Sequence, residues 1–182
     1  MGNLIQITGL PRSGTAFVAT FLALHPECVS FHELIMKSDD YRKKLLYTTK
    51  TNKFVVDSST YGFLPQCTFK ESKKVYIERD FWESKNSLER ALKLNIDEKF
   101  YYDNLIEIKK WKDENVVYQV KFKELFNVET LERLWQYCFG SLEYFVREKA
   151  ELFLDMNIQI KQPEIVLNKT IFDRINKQLC QR

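Results

Sequence analysis

The strongest indication of the fold in this chain is the stretch Ile5-Gln6-Ile7-Thr8-Gly9-Leu10-Pro11-Arg12-Ser13-Gly14-Thr15. An apolar strand leads into a turn containing glycine and proline, and apolar residues then recur at helical spacing over residues 17–22. Glycines let a backbone approach an anion closely, and the free N–H groups of a helix N-terminus point toward it. Arg12 adds a planar, permanently charged group that suits phosphate or sulfate oxygens. The stretch therefore predicts an anion-binding loop between a strand and a helix.

The spacing of Gly9 and Gly14 matches the outer frame of a Walker A loop, G-x-x-x-x-G-K-[ST]. Thr15 and Ala16 occupy the positions of the lysine and of the Ser or Thr. Because Ala16 offers no hydroxyl to magnesium, an ordinary ATP- or GTP-hydrolysing site is disfavoured. The loop is predicted to hold an anion without a metal.

Alternating strand and helix patterns along the rest of the chain predict a parallel α/β sheet. Apolar strand patterns after the first cover residues 28–31, 53–56, 74–78 and 116–122. Helical patterns cover residues 88–92, 101–111, 131–138 and 142–153. We expect one P-loop-like domain over residues 1–182, with a central parallel sheet of about five strands and helices on both faces. Residues 141–182 are its helical C-terminal part, without an assigned role.

Composition is that of an ordinary globular protein, with 182 residues, 45% hydrophobic and 29% charged. The formal net charge of +3 is too small to make nucleic acid or an anionic membrane the main partner. No stretch approaches the roughly 20 uninterrupted apolar residues of a membrane span, and the N-terminus lacks the features of a signal peptide. The oligomeric state is open.

Cysteine and histidine usage argues against metal sites and disulfides. No C-x-x-C spacing occurs, so neither a zinc site nor a disulfide framework is predicted, and a reducing cytoplasm is the expected location. The four cysteines are Cys28, Cys67, Cys138 and Cys180, and the two histidines are His25 and His32. Of the two histidines, His25 is expected to make a structural contact at a turn.

The first loop resembles that of a known family. The residues from Gly9 to Thr15, with the helix end at His25-Pro26, resemble the 5′-phosphosulfate loop of sulfotransferases of the Arg-Ser-Gly-Thr branch. That branch includes carbohydrate, tyrosylprotein and bacterial sulfotransferases. The resemblance implies 3′-phosphoadenosine-5′-phosphosulfate (PAPS) as the donor, with no metal. The residues it assigns to the phosphosulfate are Gly9, Pro11, Arg12, Ser13, Gly14, Thr15 and Ala16.

A second segment, Arg79-Asp80-Phe81 running to Ser87, resembles the 3′-phosphate site of the same family. The family has a strand that ends in Arg-Asp and a serine eight residues after the arginine, a spacing that Arg79 and Ser87 share. Phe81 replaces the usual proline. A surface Arg-Asp pair and a solvent-facing helix serine are the alternative interpretation. A weaker likeness at residues 120–125 and 131–140 is interpreted as structural.

The carboxyl ends of parallel strands meet at one edge of a sheet, where ligands bind. Glu33 reaches that edge after the second strand and matches, by its distance from the loop arginine, the catalytic glutamate of tyrosylprotein-type enzymes. It is therefore the candidate base, with capping of a helix near Leu34 as the alternative. His32 is the second candidate base, and Arg12 is the candidate for charge stabilisation.

The segment Asp57-Ser58-Ser59-Thr60 resembles an Asp-Ser-Ser-Lys stretch of bacterial relatives, with Thr60 in place of the lysine. Either Arg12 alone supplies the positive charge, or the protein is slow or inactive. Lys121 or Lys123 are possible substitutes from the neighbouring edge. In the alternative interpretation, Asp57 and Ser58 cap the next helix.

Three functions follow as hypotheses. The first is a PAPS-dependent sulfotransferase acting on a small-molecule, carbohydrate, lipid or peptide hydroxyl. The second is a P-loop nucleotide kinase, in which Val55-Val56-Asp57 imitates a Walker B strand. The third is a non-catalytic nucleotide- or partner-binding module with a degenerate site. The aromatic clusters at residues 81–82 and 100–102 are mostly expected in the core, with stacking on adenine or a sugar as the lesser alternative.

Overall fold

A central sheet of five parallel strands organises the computed structural model, which describes residues 3–34 and 40–156. The strands lie in the order β2-β3-β1-β4-β5. Along the chain they are β1 (Asn3–Gly9), β2 (Cys28–His32), β3 (Phe54–Ser58), β4 (Lys73–Glu78) and β5 (Val117–Lys121). All four strand pairings are parallel. The predicted α/β class and the five-stranded parallel sheet are thus confirmed.

Six α-helices pack around this sheet within the described ranges. They are α1 (Thr15–Leu22), α2 (Tyr41–Thr51), α3 (Phe81–Leu92), α4 (Glu98–Glu114), α5 (Val128–Phe139) and α6 (Arg147–Asp155). A 3-10 turn, Phe122–Phe126, joins β5 to α5. None of the helices in the described part of the chain is long and apolar enough to cross a membrane.

The structure corrects one sequence-based helix assignment and adds one helix that the sequence pattern did not indicate. The pattern at 142–153 places the last helix too early, because residues 141–146 lie outside a helix, with a turn at 143–144, and α6 begins at Arg147. Helix α2 is not evident from the sequence, since only Tyr41, Leu45 and Thr49 of its eleven residues are buried. The C-terminal part of the predicted 141–182 segment, from residue 157, lies outside the described residues.

Apolar side chains cover both faces of the sheet, as parallel sheets require. On one face, Ile5 and Ile7 of β1 belong to a core with α1, α5 and α6, in which Trp135 is a large buried side chain. On the other face, Leu4 packs with residues of α2, and Tyr76 of β4 packs with residues of α4. Among the described residues, the thiols of Cys28, Cys67 and Cys138 are buried. Cys180 lies outside the described residues.

The position of β1 in the sheet creates the crevice for a site. After β1 the chain moves to one side to form β2 and β3, and it then crosses to the other side of β1 for β4 and β5. A reversal of this kind leaves a crevice at the carboxyl ends of the strands, where ligands bind in open α/β sheets. The loop after Gly9 lies at this point.

Candidate active site

The loop after β1 is closed by its own residues. Ser13 donates two hydrogen bonds to the carbonyl oxygen of Leu10, one from Oγ at 2.6 Å and one from its backbone N–H at 3.1 Å. A Cβ atom at Gly9 would lie 2.3 Å from Ser13 Oγ and 2.7 Å from the Ile77 carbonyl oxygen. Position 9 therefore accepts only glycine. Ser13 itself is fully buried, so its hydroxyl serves to close the loop.

The loop turns into α1 through two residues with left-handed backbone angles. Arg12 has a φ of 67° and Gly14 a φ of 92°, which is unfavourable for residues other than glycine. The N–H of Val18 donates to the Gly14 carbonyl oxygen at 3.0 Å. The preceding N–H groups, at residues 15–17, have no acceptor within the helix. They and the helix dipole favour an anion at this end of α1.

Helix α3 packs directly on this loop. The Ser84 hydroxyl donates to the Pro11 carbonyl oxygen at 2.5 Å, and Arg79 Nη1 donates to the Arg12 carbonyl oxygen. Arg12 Nε in turn lies 3.5 Å from Ser87 Oγ. Two segments that the sequence singled out separately are therefore adjacent in the structure. Ser84, which sequence reasoning missed, lies one helical turn before Ser87 on the same side of α3.

The Arg79 guanidinium is held from several sides. Its central carbon lies 4.0 Å from the centre of the Phe122 ring, and its Nε lies 4.0 Å from Glu83 Oε2. Burial lowers the pKa of Arg79, and the Glu83 charge opposes that shift. Asp80, next to it, accepts a hydrogen bond from the Glu83 N–H at 3.0 Å and so caps α3.

Glu33 lies at the same edge of the sheet, just after β2. It has a positive φ of 52°, and its N–H donates to the Ser58 carbonyl oxygen at 2.7 Å. Its carboxylate accepts hydrogen bonds from Ser59 Oγ at 3.0 Å and from the Thr60 N–H at 2.9 Å and hydroxyl at 2.5 Å. These described bonds come from the turn after β3 and not from a helix N-terminus near Leu34. The backbone N–H and hydroxyl of Thr60 thus orient Glu33.

The two histidines have different surroundings. His32 ends β2, is half-buried, and its Nδ1 lies 2.8 Å from Ser58 Oγ. His25 is buried among the rings of Phe54, Phe139 and their neighbours. Its Nδ1 accepts a hydrogen bond from the Glu27 N–H at 3.1 Å, and burial lowers its pKa. The predicted structural role of His25 at a turn is confirmed.

Asp57 lies inside the sheet beneath the Glu33 turn. It is only 3% exposed, and its Oδ1 has no hydrogen-bond partner. Burial, followed by the charge of Glu33, raises the pKa of Asp57 to about 7. The alternative in which Asp57 and Ser58 cap a following helix is wrong, because both lie within β3 and residues 60–67 form turns.

Two lysines stand at the other side of the edge. Lys121 ends β5 and is exposed, whereas Lys123 forms an ion pair of 2.7 Å with Glu83. Sequence reasoning did not single out Glu83 or the role of Phe122 beneath Arg79. Over residues 3–34 and 40–156, no three His, Cys, Asp or Glu side chains are grouped so that they could hold a metal ion.

Comparisons with known proteins support the fold. No protein-family model and no curated protein matches the chain. Among solved structures, it is similar to the sulfotransferase domain of the olefin synthase from Synechococcus PCC 7002, with 14% sequence identity and a TM-score of 0.55. The match covers 99% of this chain and 96% of that chain. The protein therefore shares the overall α/β fold of that sulfotransferase domain.

Proposed function

We propose that this protein transfers a sulfuryl group from PAPS to a hydroxyl acceptor. The observation that carries the proposal is the direct packing of the Arg79–Ser87 segment on the loop after β1. Two hydrogen bonds join them, one from Ser84 to the Pro11 carbonyl oxygen and one from Arg79 to the Arg12 carbonyl oxygen. A donor with phosphates on both its 5′ and 3′ positions needs two anion sites side by side. The loop at the head of α1 and the start of α3 are two such sites in contact.

The residues at the loop fit the donor. The N–H groups of residues 14–17 and the Arg12 side chain would hold the 5′-phosphosulfate, and Arg79 with Ser87 would hold the 3′-phosphate. Arg12 is exposed, so its guanidinium is accessible to a bound anion. PAPS supplies the activated sulfuryl group. Arg12 stabilises the charge that develops when the bond between sulfur and the bridging phosphate oxygen breaks.

Glu33 takes the proton of the acceptor hydroxyl as the new oxygen–sulfur bond forms. The ends of β2 and β1 are separated by β3, hence by roughly 10 Å at the usual strand spacing. That separation leaves space for the acceptor hydroxyl and the transferred group between Glu33 and the loop. Hydrogen bonds from Ser59 and Thr60 fix the carboxylate. Oε1 accepts both Thr60 bonds, whereas Oε2 accepts one from Ser59 and retains a lone pair for the acceptor. His32 is the second candidate for this role.

The acceptor is a small-molecule, carbohydrate, lipid or peptide hydroxyl, with no nucleic acid as substrate. A nucleotide kinase is less well supported, because the aspartate of its supposed Walker B strand, Asp57, is buried with a raised pKa. Ala16 also provides no hydroxyl for magnesium. A non-catalytic module would bind the donor through the same groups without turnover.

Calorimetric titration tests the proposal. The purified protein is titrated with 3′,5′-adenosine bisphosphate, with 5′-AMP, and with ATP plus magnesium. We expect metal-independent binding that requires the 3′-phosphate. Preference for ATP with magnesium, or absence of binding, contradicts the proposal.

Turnover is tested separately, by incubation with PAPS and a panel of hydroxyl acceptors. Glu33→Gln should lose turnover and keep bisphosphate binding. Binding without turnover on any acceptor would favour the non-catalytic module.

A further inference from the structure

The Glu83 carboxylate lies between two cations at the candidate 3′-phosphate site. Its Oε1 is 2.7 Å from Lys123 Nζ, and its Oε2 is 4.0 Å from Arg79 Nε. The two cations come from different parts of the chain, since Arg79 precedes α3 and Lys123 belongs to the 3-10 turn after β5. An oxyanion of this protein thus occupies the space between them.

The surroundings of this carboxylate favour exchange. The Lys123 side chain is 76% exposed and that of Glu83 is 40% exposed, whereas that of Arg79 is 14% exposed. An exposed ion pair is weak, on the order of 1 kcal/mol or less. A phosphate dianion carries more charge and more acceptor oxygens than a carboxylate, so it competes well for the same cations.

Phe122 links the two cations structurally. Its ring lies under the Arg79 guanidinium, and Lys123 is the next residue in the chain. The ring also lies close to the loop, since a Cβ atom at Gly14 would be 3.1 Å from its edge. The 3-10 turn therefore places a lysine beside Arg79 and next to the donor loop.

Resting on the proposed function, we propose that Lys123 and Arg79 together bind the 3′-phosphate of the donor, and that Glu83 holds their place until the phosphate displaces it. Lys123 is thus a binding residue for the nucleotide. Glu83 is an internal competitor that lowers the affinity for it. Neither residue affects nucleotides that lack the 3′-phosphate.

The experiment compares the affinities for 3′,5′-adenosine bisphosphate and 5′-AMP, by calorimetry at low ionic strength, where exposed charges are least screened. Lys123→Ala should weaken bisphosphate binding about three- to tenfold and leave 5′-AMP binding unchanged. Glu83→Gln should strengthen bisphosphate binding about three- to fivefold. The double variant separates direct binding from neutralisation of Glu83, because with Glu83→Gln no charge remains to neutralise. In that background Lys123→Ala should still weaken bisphosphate binding.

The matched control is the exposed ion pair between Lys110 and Glu107 on α4, which has an N–O distance of 2.6 Å and similar exposure. Lys110→Ala and Glu107→Gln should change neither affinity. Equal affinity of the unaltered protein for the two nucleotides would overturn the proposed function and this inference with it. A bisphosphate preference that survives in full in Lys123→Ala and in the double variant would overturn this inference alone.

Discussion

Replacing Asp57 by asparagine should remove a specific pH dependence of stability. Asp57 is buried with an unpartnered Oδ1, and its pKa is raised from 3.8 to about 7. The folded protein therefore binds this proton more tightly than the unfolded chain does. Between pH 4 and pH 7, the unfolded state loses the proton first, so the free energy of unfolding falls as the pH rises. Below pH 4 the protonated Asp57 contributes its full stabilisation to the native state, and above pH 7 that contribution is lost.

The size of the effect follows from the shift. A difference of about three pH units, at 1.36 kcal/mol for each unit, corresponds to a loss of up to about 4 kcal/mol between pH 4 and pH 7. Asparagine at position 57 cannot ionise, so the variant lacks this loss. Its buried amide adds a cost of about 1–3 kcal/mol that is independent of pH.

Urea denaturation at a series of pH values measures the difference in unfolding free energy between Asp57→Asn and the unaltered protein. From pH 4 to pH 7, the unfolding free energy of the variant should rise relative to that of the unaltered protein by about 4 kcal/mol. Asp113→Asn, at an exposed position of α4, is the matched control and should show no such change. Parallel stability curves for Asp57→Asn and the unaltered protein would refute the assignment of a buried, proton-binding Asp57.

Three further variants test the site itself. Glu33→Gln should lower turnover about 10²- to 10⁴-fold in an acceptor assay, and full turnover would exclude Glu33 as the base. It should also lower the free energy of unfolding by about 1–2 kcal/mol in urea denaturation, because charge-assisted bonds from Ser59 and Thr60 become neutral ones. Gly14→Ala should destabilise the fold by about 1–2 kcal/mol through its φ of 92° and should weaken bisphosphate binding in calorimetry, and an unchanged urea midpoint would contradict this. Arg79→Ala should bring the affinity for the bisphosphate about ten- to hundredfold closer to that for 5′-AMP, whereas an undiminished preference would remove Arg79 from the 3′-phosphate site.

The strand, loop and helix at the start of the chain could be derived from sequence because their signals are local. Gly9 and Gly14 mark a close backbone approach and a left-handed angle, and both are where the structure requires glycine. The apolar strands also follow from sequence, since parallel strands covered on both faces give short apolar runs. Once the strands are known, the rule for parallel sheets brings Glu33 and Arg79 to the same edge.

Helix α2 shows where local pattern fails. Three threonines, which are weak helix formers, lie in its second half, and Leu46 and Tyr47 are exposed on it. What stabilises this helix is the burial of Tyr41 and Leu45 against the sheet, a tertiary contact that outweighs weak helix propensity.

The fold class and the strand–loop–helix unit at residues 5–22 follow from local sequence patterns, whereas the partners of each charged side chain depend on how the elements pack. Glu33 is oriented by Thr60, and Arg79 is held by the carbonyl oxygen of Arg12, a residue 67 positions earlier in the chain. Glu83 on α3 forms an ion pair with Lys123 in the 3-10 turn after β5. Residue spacing records neighbours along one strand or helix. Contacts between distant segments arise only when the packed core fixes how the elements lie against one another, so they have no signature in a single sequence.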